Sequence, residues 1–238
     1  MWFMISLQNH QEQLSGNEMT GVLLTGSNSG LGYELYKIIK NDDFFNEKIF
    51  ISRSKNKKFT NKDKLIYLDF NNINLINKKI NFSFKNKNIV FINSAATIFP
   101  IVPTKDIKIK ELNKSSNVNF LAPFIISQYL AKKICKTKHK LLIINITSKA
   151  AEYKVKSWLA YSITKKSLKT SLDFLALENK NITIIHYNPG VMDTKMQKNI
   201  RNRTKLSMPD VNIYKNLKKY NKLIHPKEVA KKIYKKII

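Results

Sequence analysis

Six short apolar runs recur along the chain, at residues 22–24, 48–52, 65–68, 89–92, 141–146 and 182–187. Their apolar residues follow one another instead of alternating with polar ones, the pattern of strands covered on both faces. Between them the spacing turns helical, over residues 31–40, 105–136 with a break in the middle, 158–179 and 227–238. Strands alternating with helices predict right-handed βαβ units and a parallel sheet with a helical layer on each face. No repeat, linker or second domain interrupts residues 20–238, which read as one α/β domain. Residues 1–19 turn polar after the first few positions and carry no period, so they read as a flexible extension, with Met19 an equally good start.

Composition narrows the class. A chain of 238 residues with 43% hydrophobic and 25% charged residues has the make-up of a globular domain with a sizeable core. No stretch of eighteen apolar residues is present, so no membrane span is expected. The opening Met1-Trp2-Phe3-Met4-Ile5 lacks a basic start and a small-residue cleavage site, and does not read as a signal peptide. The single cysteine, Cys135, cannot form an internal disulfide, fits a reducing cytoplasm, and reads as a small core residue.

The formal charge of +27 raises the question of nucleic acid. Arginine, the side chain suited to base and phosphate forks, occurs only at 53, 201 and 203, and the lysines are spread over the whole chain. Lysine excess together with abundant asparagine and isoleucine reads as compositional drift; no specific nucleic-acid partner is expected, only weak association at low salt. His10, His139, His186 and His225 are scattered without ligand spacing, so no metal site is expected, and His186 reads as a core residue inside a strand.

Three of the six glycines fall in Thr25-Gly26-Ser27-Asn28-Ser29-Gly30-Leu31-Gly32, directly after the first strand and before the first helix. Glycine allows close backbone approach, and the helix N-terminus attracts anions, so a dinucleotide pyrophosphate would sit here. A second constellation is more specific. Tyr161-Ser162-Ile163-Thr164-Lys165 sets a phenol and an ammonium four apart on one helix face, and Ser148 lies thirteen residues earlier, at the end of a strand. Carbonyl reduction needs a proton donor at oxygen while hydride reaches carbon. A lysine cation should lower the pKa of the tyrosine, and the serine hydroxyl should hold the carbonyl oxygen.

On these residues the chain resembles the short-chain dehydrogenase/reductase family over about residues 20–237. The resemblance implies a Rossmann-type doubly wound parallel sheet, three layers α/β/α. It also implies a seventh strand, which the sequence stops short of at Ile238. Asn93-Ser94-Ala95-Ala96 is similar to the family's element after the fourth strand, with alanine in place of its last glycine, so the backbone there is expected to differ. Asn119 matches the family's catalytic asparagine, with the implied role of holding a proton-relaying water near Lys165. Asn188-Pro189-Gly190-Val191-Met192-Asp193-Thr194 resembles the loop that holds the nicotinamide carboxamide, through backbone near Val191 and the Thr194 hydroxyl. Asp69 matches the position that touches adenine. The implied cofactor-binding set is residues 25–32 with Arg53, Asp69, Asn93, Ala95, Tyr161, Lys165, Pro189, Gly190, Val191 and Thr194.

The second strand ends in Ser52-Arg53-Ser54 without the carboxylate that would accept from an NAD ribose, and Lys55 and Lys57 follow. An arginine suits a 2′-phosphate, so NADP(H) is expected over NAD(H). Asp193-Thr194-Lys195-Met196-Gln197 resembles a segment of sepiapterin and benzil reductases, making Asp193 a candidate substrate contact or, equally, a helix cap. Trp158, three before Tyr161, lines the substrate pocket or packs in the core. The pocket walls are expected from loops at 99–106, 150–158 and 195–220. The resemblance implies a reductase of a small ketone or diketone, without a membrane and compatible with a homodimer or homotetramer. A non-catalytic NADP-binding sensor or scaffold is the alternative.

Overall fold

The computed structural model describes residues 20–55, 59, 64–81, 84–85, 88–134 and 139–238; the expectations for residues 1–19, Lys57 and Cys135 lie outside them. Six strands, β1 (Thr20–Thr25), β2 (Phe45–Ser52), β3 (Lys64–Tyr67), β4 (Asn88–Asn93), β5 (Lys140–Ile146) and β6 (Ile182–Tyr187), form one sheet in the order 3-2-1-4-5-6. Every neighbouring pair is parallel. Five strands contain the apolar run expected of them, extended by up to three residues at the start; β3 ends at Tyr67, one residue before its run does.

Successive residues of these runs serve opposite faces. Leu23, Ile49, Ile51, Ile89, Phe91, Leu141 and Ile143 pack in one core with Ile126 and Leu130 of helix α4 (Ala122–Ile134) and Leu168 and Leu172 of α5 (Leu159–Leu177). Val22, Leu24, Phe50, Val90, Ile92 and Ile144 pack in the other, under α1 (Gly30–Ile39) and α8 (Pro226–Tyr234). This is why the runs lack alternation: a strand between two helical layers must be apolar on both sides. Burying each leucine or isoleucine completely contributes about 1.5–3 kcal/mol.

The break expected inside residues 105–136 is present. Helix α3 (Ile109–Ser116) passes through a π-helical segment, Asn117–Leu121, into α4. Three short helices were not expected: α2 (Ile73–Lys79), α6 (Lys195–Arg201) and α7 (Val211–Lys219), the last two inside what reads from sequence as a 195–220 loop. Helix α7 has Val211, Tyr214 and Leu217 at helical spacing, but only Val211 is buried, and the short stripe lies among lysines and asparagines. Among the described residues no helix is long and apolar enough to cross a membrane, and no three metal-ligating side chains gather.

The last helix is fastened to the first βα unit by more than packing. Tyr234 donates its hydroxyl hydrogen to Asp42 Oδ2 at 2.6 Å, across 192 residues of sequence. A carboxylate acceptor makes this one of the stronger bonds of its kind. Tyr234→Phe is expected to lower the unfolding free energy by about 1–2 kcal/mol. Urea denaturation measures it, and an unchanged midpoint would show that the bond carries no net stability.

Candidate active site

The C-terminal ends of the strands gather the residues singled out from sequence. After β1 the chain turns at Gly26, whose φ is +74°. A Cβ there would lie 2.9 Å from the backbone of Ala95, and one at Gly32 would lie 2.2 Å from the Gly26 carbonyl oxygen. Neither position accepts a side chain while the loop stays folded over α1. The first turn of α1 holds no acidic residue, and Ser29 makes no side-chain cap bond. Its positive end is therefore left for an anion. Gly30 faces Thr194 Cγ2, 3.5 Å from where its Cβ would be. The glycine loop and the 188–194 loop thus lie against each other at the strand ends, where the cofactor groove is expected.

Other members of the expected cofactor set lie at or just past the same strand ends. Ser27 Oγ donates to the Ile51 carbonyl at 3.3 Å. Asn28 Nδ2 donates to Ser54 O at 3.2 Å and Ser54 Oγ at 3.0 Å, tying the residue after Arg53 to the middle of the glycine loop. Arg53 itself is exposed. Thr25 Oγ1 accepts from Ser94 N and Ala95 N at 3.2 and 3.3 Å, holding the loop after β4 against the glycine turn. Ala96 has no left-handed backbone, so the absent glycine leaves no strain. Asp69 lies two residues past the end of β3, not at it; it is exposed, and its carboxylate accepts from Asn71 N at 2.9 Å ahead of α2.

Tyr161 and Lys165 share a face of α5 and are 7% and 2% exposed. Lys165 Nζ donates to the carbonyl of Ile146, the last residue of β5, at 2.7 Å. The ammonium lies 5.9 Å from the centroid of the Tyr161 ring. Ser148, two residues past β5, accepts from Ala150 N at 3.2 Å, and its side chain lies close to Tyr161. Burial pushes the Tyr161 phenol up to about 12, with Ser148 pulling the other way, and it pushes Lys165 down to about 8. This corrects the expectation that lysine lowers the tyrosine. Desolvation outweighs it, because both groups sit out of water.

Asn119, in the π-helical segment, is 1% exposed. Its Oδ1 accepts from Thr97 N at 2.8 Å, and its Nδ2 reaches Thr97 O at 2.8 Å and Ser115 Oγ and Thr164 Oγ1 at 3.2 Å. None of these bonds goes to Lys165; the asparagine meets α5 at the neighbouring Thr164. Trp158 is packed in the core, against Tyr161. Its ring stands edge-on to Tyr161 at 5.9 Å and tilted on Tyr214 at 5.3 Å, in a cluster with Ile98, Ile200 and Met208.

Pro189 and Gly190 open the loop after β6. Gly190 N donates to Asn188 Oδ1 at 3.1 Å, while Val191 O accepts from Ile224 N and Asp193 N donates to Ile224 O, both at 3.0 Å. Thr194, not Asp193, caps α6, accepting from Gln197 N at 3.3 Å. Asp193 instead accepts from Lys218 Nζ at 2.6 Å and Arg201 Nη2 at 3.5 Å. Lys218 above all holds its carboxyl below the usual range. The helix-cap reading of Asp193 is therefore overturned.

The sequence profile of the short chain dehydrogenase family matches residues 20–205. The chain belongs to that family. It is 29% identical over 232 residues to the benzil reductase ((S)-benzoin forming) of Bacillus cereus, covering 90% of this chain and 92% of the relative. To the diacetyl reductase [(S)-acetoin forming] of Staphylococcus epidermidis it is 33% identical over 109 residues, 45% of this chain and 42% of the other. The crystal structure of the YIR035C short chain dehydrogenase/reductase from Saccharomyces cerevisiae superposes with a TM-score of 0.76 at 22% identity, covering 88% and 86% of the two chains. As a short chain dehydrogenase the protein is an oxidoreductase acting on carbonyl or alcohol groups, in a family that uses nicotinamide cofactors.

Sequence reasoning missed Thr97, Thr164, Arg201 and Lys218. Of these only Thr164 carried a signal, its place inside the Tyr161–Lys165 spacing. Burial of Lys165 has a pH signature in this short chain dehydrogenase. Folded, it releases its proton near pH 8; unfolded, it holds it to about 10.5. Between those values the unfolded chain binds more protons, so stability rises with pH. From neutral pH to about pH 10 the gain is on the order of 2 kcal/mol. Above pH 10 the buried Tyr161 acts in the opposite sense, since it keeps its proton to about 12. Thermal melts of wild type and Lys165→Met across this range measure the difference, and equal slopes would contradict it.

Proposed function

We propose that the protein reduces a small ketone, a vicinal diketone of the benzil or diacetyl kind in particular, with NADPH as reductant. The observation that carries this reading is the buried corner in which Ser148 lies close to Tyr161 while Lys165 is fixed beside its ring. The bound dihydronicotinamide would supply the hydride. Tyr161 then protonates the nascent alkoxide; at about 12 its phenol stays protonated throughout the neutral range and is available as a donor. Ser148 holds the carbonyl oxygen next to that phenol. Lys165 binds the nicotinamide ribose, and Asn119 supports the corner through Thr97 and Thr164.

The pyrophosphate would rest on residues 26–32 at the start of α1, with Asp69 near adenine and Thr194 and the Val191 backbone at the carboxamide. Arg53, exposed beside the glycine loop and without a carboxylate in Ser52-Arg53-Ser54, suits the 2′-phosphate. The substrate preference is supported by the names of two relatives, which form benzoin and acetoin. Asp193 already serves two cations, so it is better suited to bracing α6 and α7 than to gripping substrate. A single cysteine and a reduced diffusible cofactor fit the cytoplasm.

Consumption of NADPH, followed by ultraviolet absorbance, is measured against benzil, diacetyl and sepiapterin, with NADH in parallel. Turnover with a diketone is expected. Tyr161→Phe should keep NADPH binding and lose at least about a hundredfold in kcat; unchanged turnover would sink the mechanism. Arg53→Glu should weaken NADPH by about tenfold or more while sparing NADH. Equal effects on both cofactors would remove Arg53 from the phosphate site.

A further inference from the structure

Four strands carry polar residues at a single level of the sheet. In register, Thr25 of β1 stands beside Asn93 of β4, Asn93 beside Asn145 of β5, and Asn145 beside His186 of β6. Thr25, Asn93 and Asn145 are 0–1% exposed, so their polar groups must be satisfied sideways. They are joined in one line. Ser94 N and Ala95 N donate to Thr25 Oγ1, which donates to Asn93 Oδ1 at 3.1 Å. Asn93 Nδ2 donates to Asn145 Oδ1 at 3.2 Å, and Asn145 Nδ2 meets His186 Nδ1 at 3.2 Å. His186 Nε2 meets Asp173 Oδ1 of α5 at 2.7 Å, while Lys169 Nζ donates to Asp173 Oδ2 at 3.2 Å.

Both ends of the line fix its polarity. A backbone N–H can only donate, so with two of them on Thr25 Oγ1 the hydroxyl hydrogen goes on to Asn93. A carboxylate can only accept, so His186 turns Nε2–H to Asp173 and a bare Nδ1 to Asn145. The two amides between satisfy both ends in one orientation, the one present. His186, half-buried, is thus a junction in a polar network and not the core residue expected from sequence.

We propose that His186 and Asp173 are positioning residues for the cofactor groove, setting through Asn145, Asn93 and Thr25 the loop at residues 93–95 that braces the glycine turn. This rests on the reading that the groove binds NADPH. The coupling to the turn is steric: Ala95 backbone lies 2.9 Å from where a Gly26 Cβ would be. A proton on His186 Nδ1 would face Asn145 Nδ2, donor against donor. Turning both amides over relieves that contact but presents Asn93 Nδ2 to Thr25 Oγ1, which already accepts two N–H groups. The loop at 94–95 must then give way.

The charged groups facing His186 are Asp173 and Lys169 from α5, while β5 presents the neutral Asn145 amide. Burial, above all, lowers the histidine below its ordinary value; Asp173 opposes this and Lys169 adds to it. The neutral ladder therefore persists at neutral pH and is lost only below the histidine's ordinary range.

The test uses wild type and Asp173→Asn. Asp173 is half-exposed in its side chain, so its replacement leaves the fold intact. NADPH dissociation constants are measured by quenching of protein fluorescence from about pH 5 to about pH 8. Wild-type affinity is expected to fall as the pH drops below the histidine's ordinary range. Asp173→Asn should bind about five- to tenfold more weakly at neutral pH, lose that acid step, and raise the KM for NADPH more than it lowers kcat. In cofactor-free protein, the Asn93 and Asn145 side-chain amide signals in nitrogen NMR should move with the His186 midpoint. Equal affinities of the two proteins at every pH, or amide signals indifferent to His186, would overturn the proposal. Wild type that fails to bind NADPH would remove the functional reading instead, and the NMR measurement, which needs no cofactor, then decides whether the ladder is coupled.

Discussion

A lysine ammonium buried against the end of a strand is the contact on which this site hangs. Lys165 Nζ reaches the Ile146 carbonyl because α5 is clamped to the sheet below it by Leu168 and Leu172. An unpaired charge at 2% exposure would be prohibitive. The strand-end carbonyl is the compensation, and it sets how far α5 lies along β5. That placement brings Tyr161, one turn earlier, to Ser148 just past the same strand. Apolar packing, a buried charge and the candidate catalytic corner are one arrangement.

Desolvation acts on the two groups in opposite directions and leaves them in useful states. The phenol is pushed up and remains a proton donor, and the ammonium is pushed down but stays largely charged at neutral pH. The third apolar cluster, with Trp158, Met208 and Ile200 over Tyr161, is what keeps water from the pair. Part of that cluster comes from residues around α6 and α7, which Asp193 braces through Arg201 and Lys218. The same segment that shields the tyrosine therefore depends on an ion-paired carboxylate in the loop after β6.

Much of the fold was legible in the chain because its signals are local. Non-alternating apolar runs report burial on two faces, and that follows from the strand period alone. The glycines at 26 and 32 were legible because close backbone approach tolerates no other residue. Helix α7 was not, since its stripe of Val211, Tyr214 and Leu217 is only two turns long and lies in a stretch otherwise polar. The Tyr161–Lys165 spacing and the Ser148 offset were visible as a pattern, but their electrostatics were misjudged: the balance between a neighbouring charge and desolvation depends on burial, which a sequence does not display.

The sequence by itself determined the succession of strands and the longer helices between them, the glycine turn, and the identities of the residues at the strand ends, since each depends on near neighbours in the chain. The tertiary structure alone decided which of those residues meet. Thr25, Asn93, Asn145 and His186 are unremarkable one at a time and become a hydrogen-bonded line only when parallel register sets four strands at one level. Asp193 was a carboxylate with two candidate roles until α7, twenty-five residues on, placed Lys218 against it. Contacts between distant segments are set by how whole layers pack, and packing sums over many side chains at once, so no short window of sequence contains them.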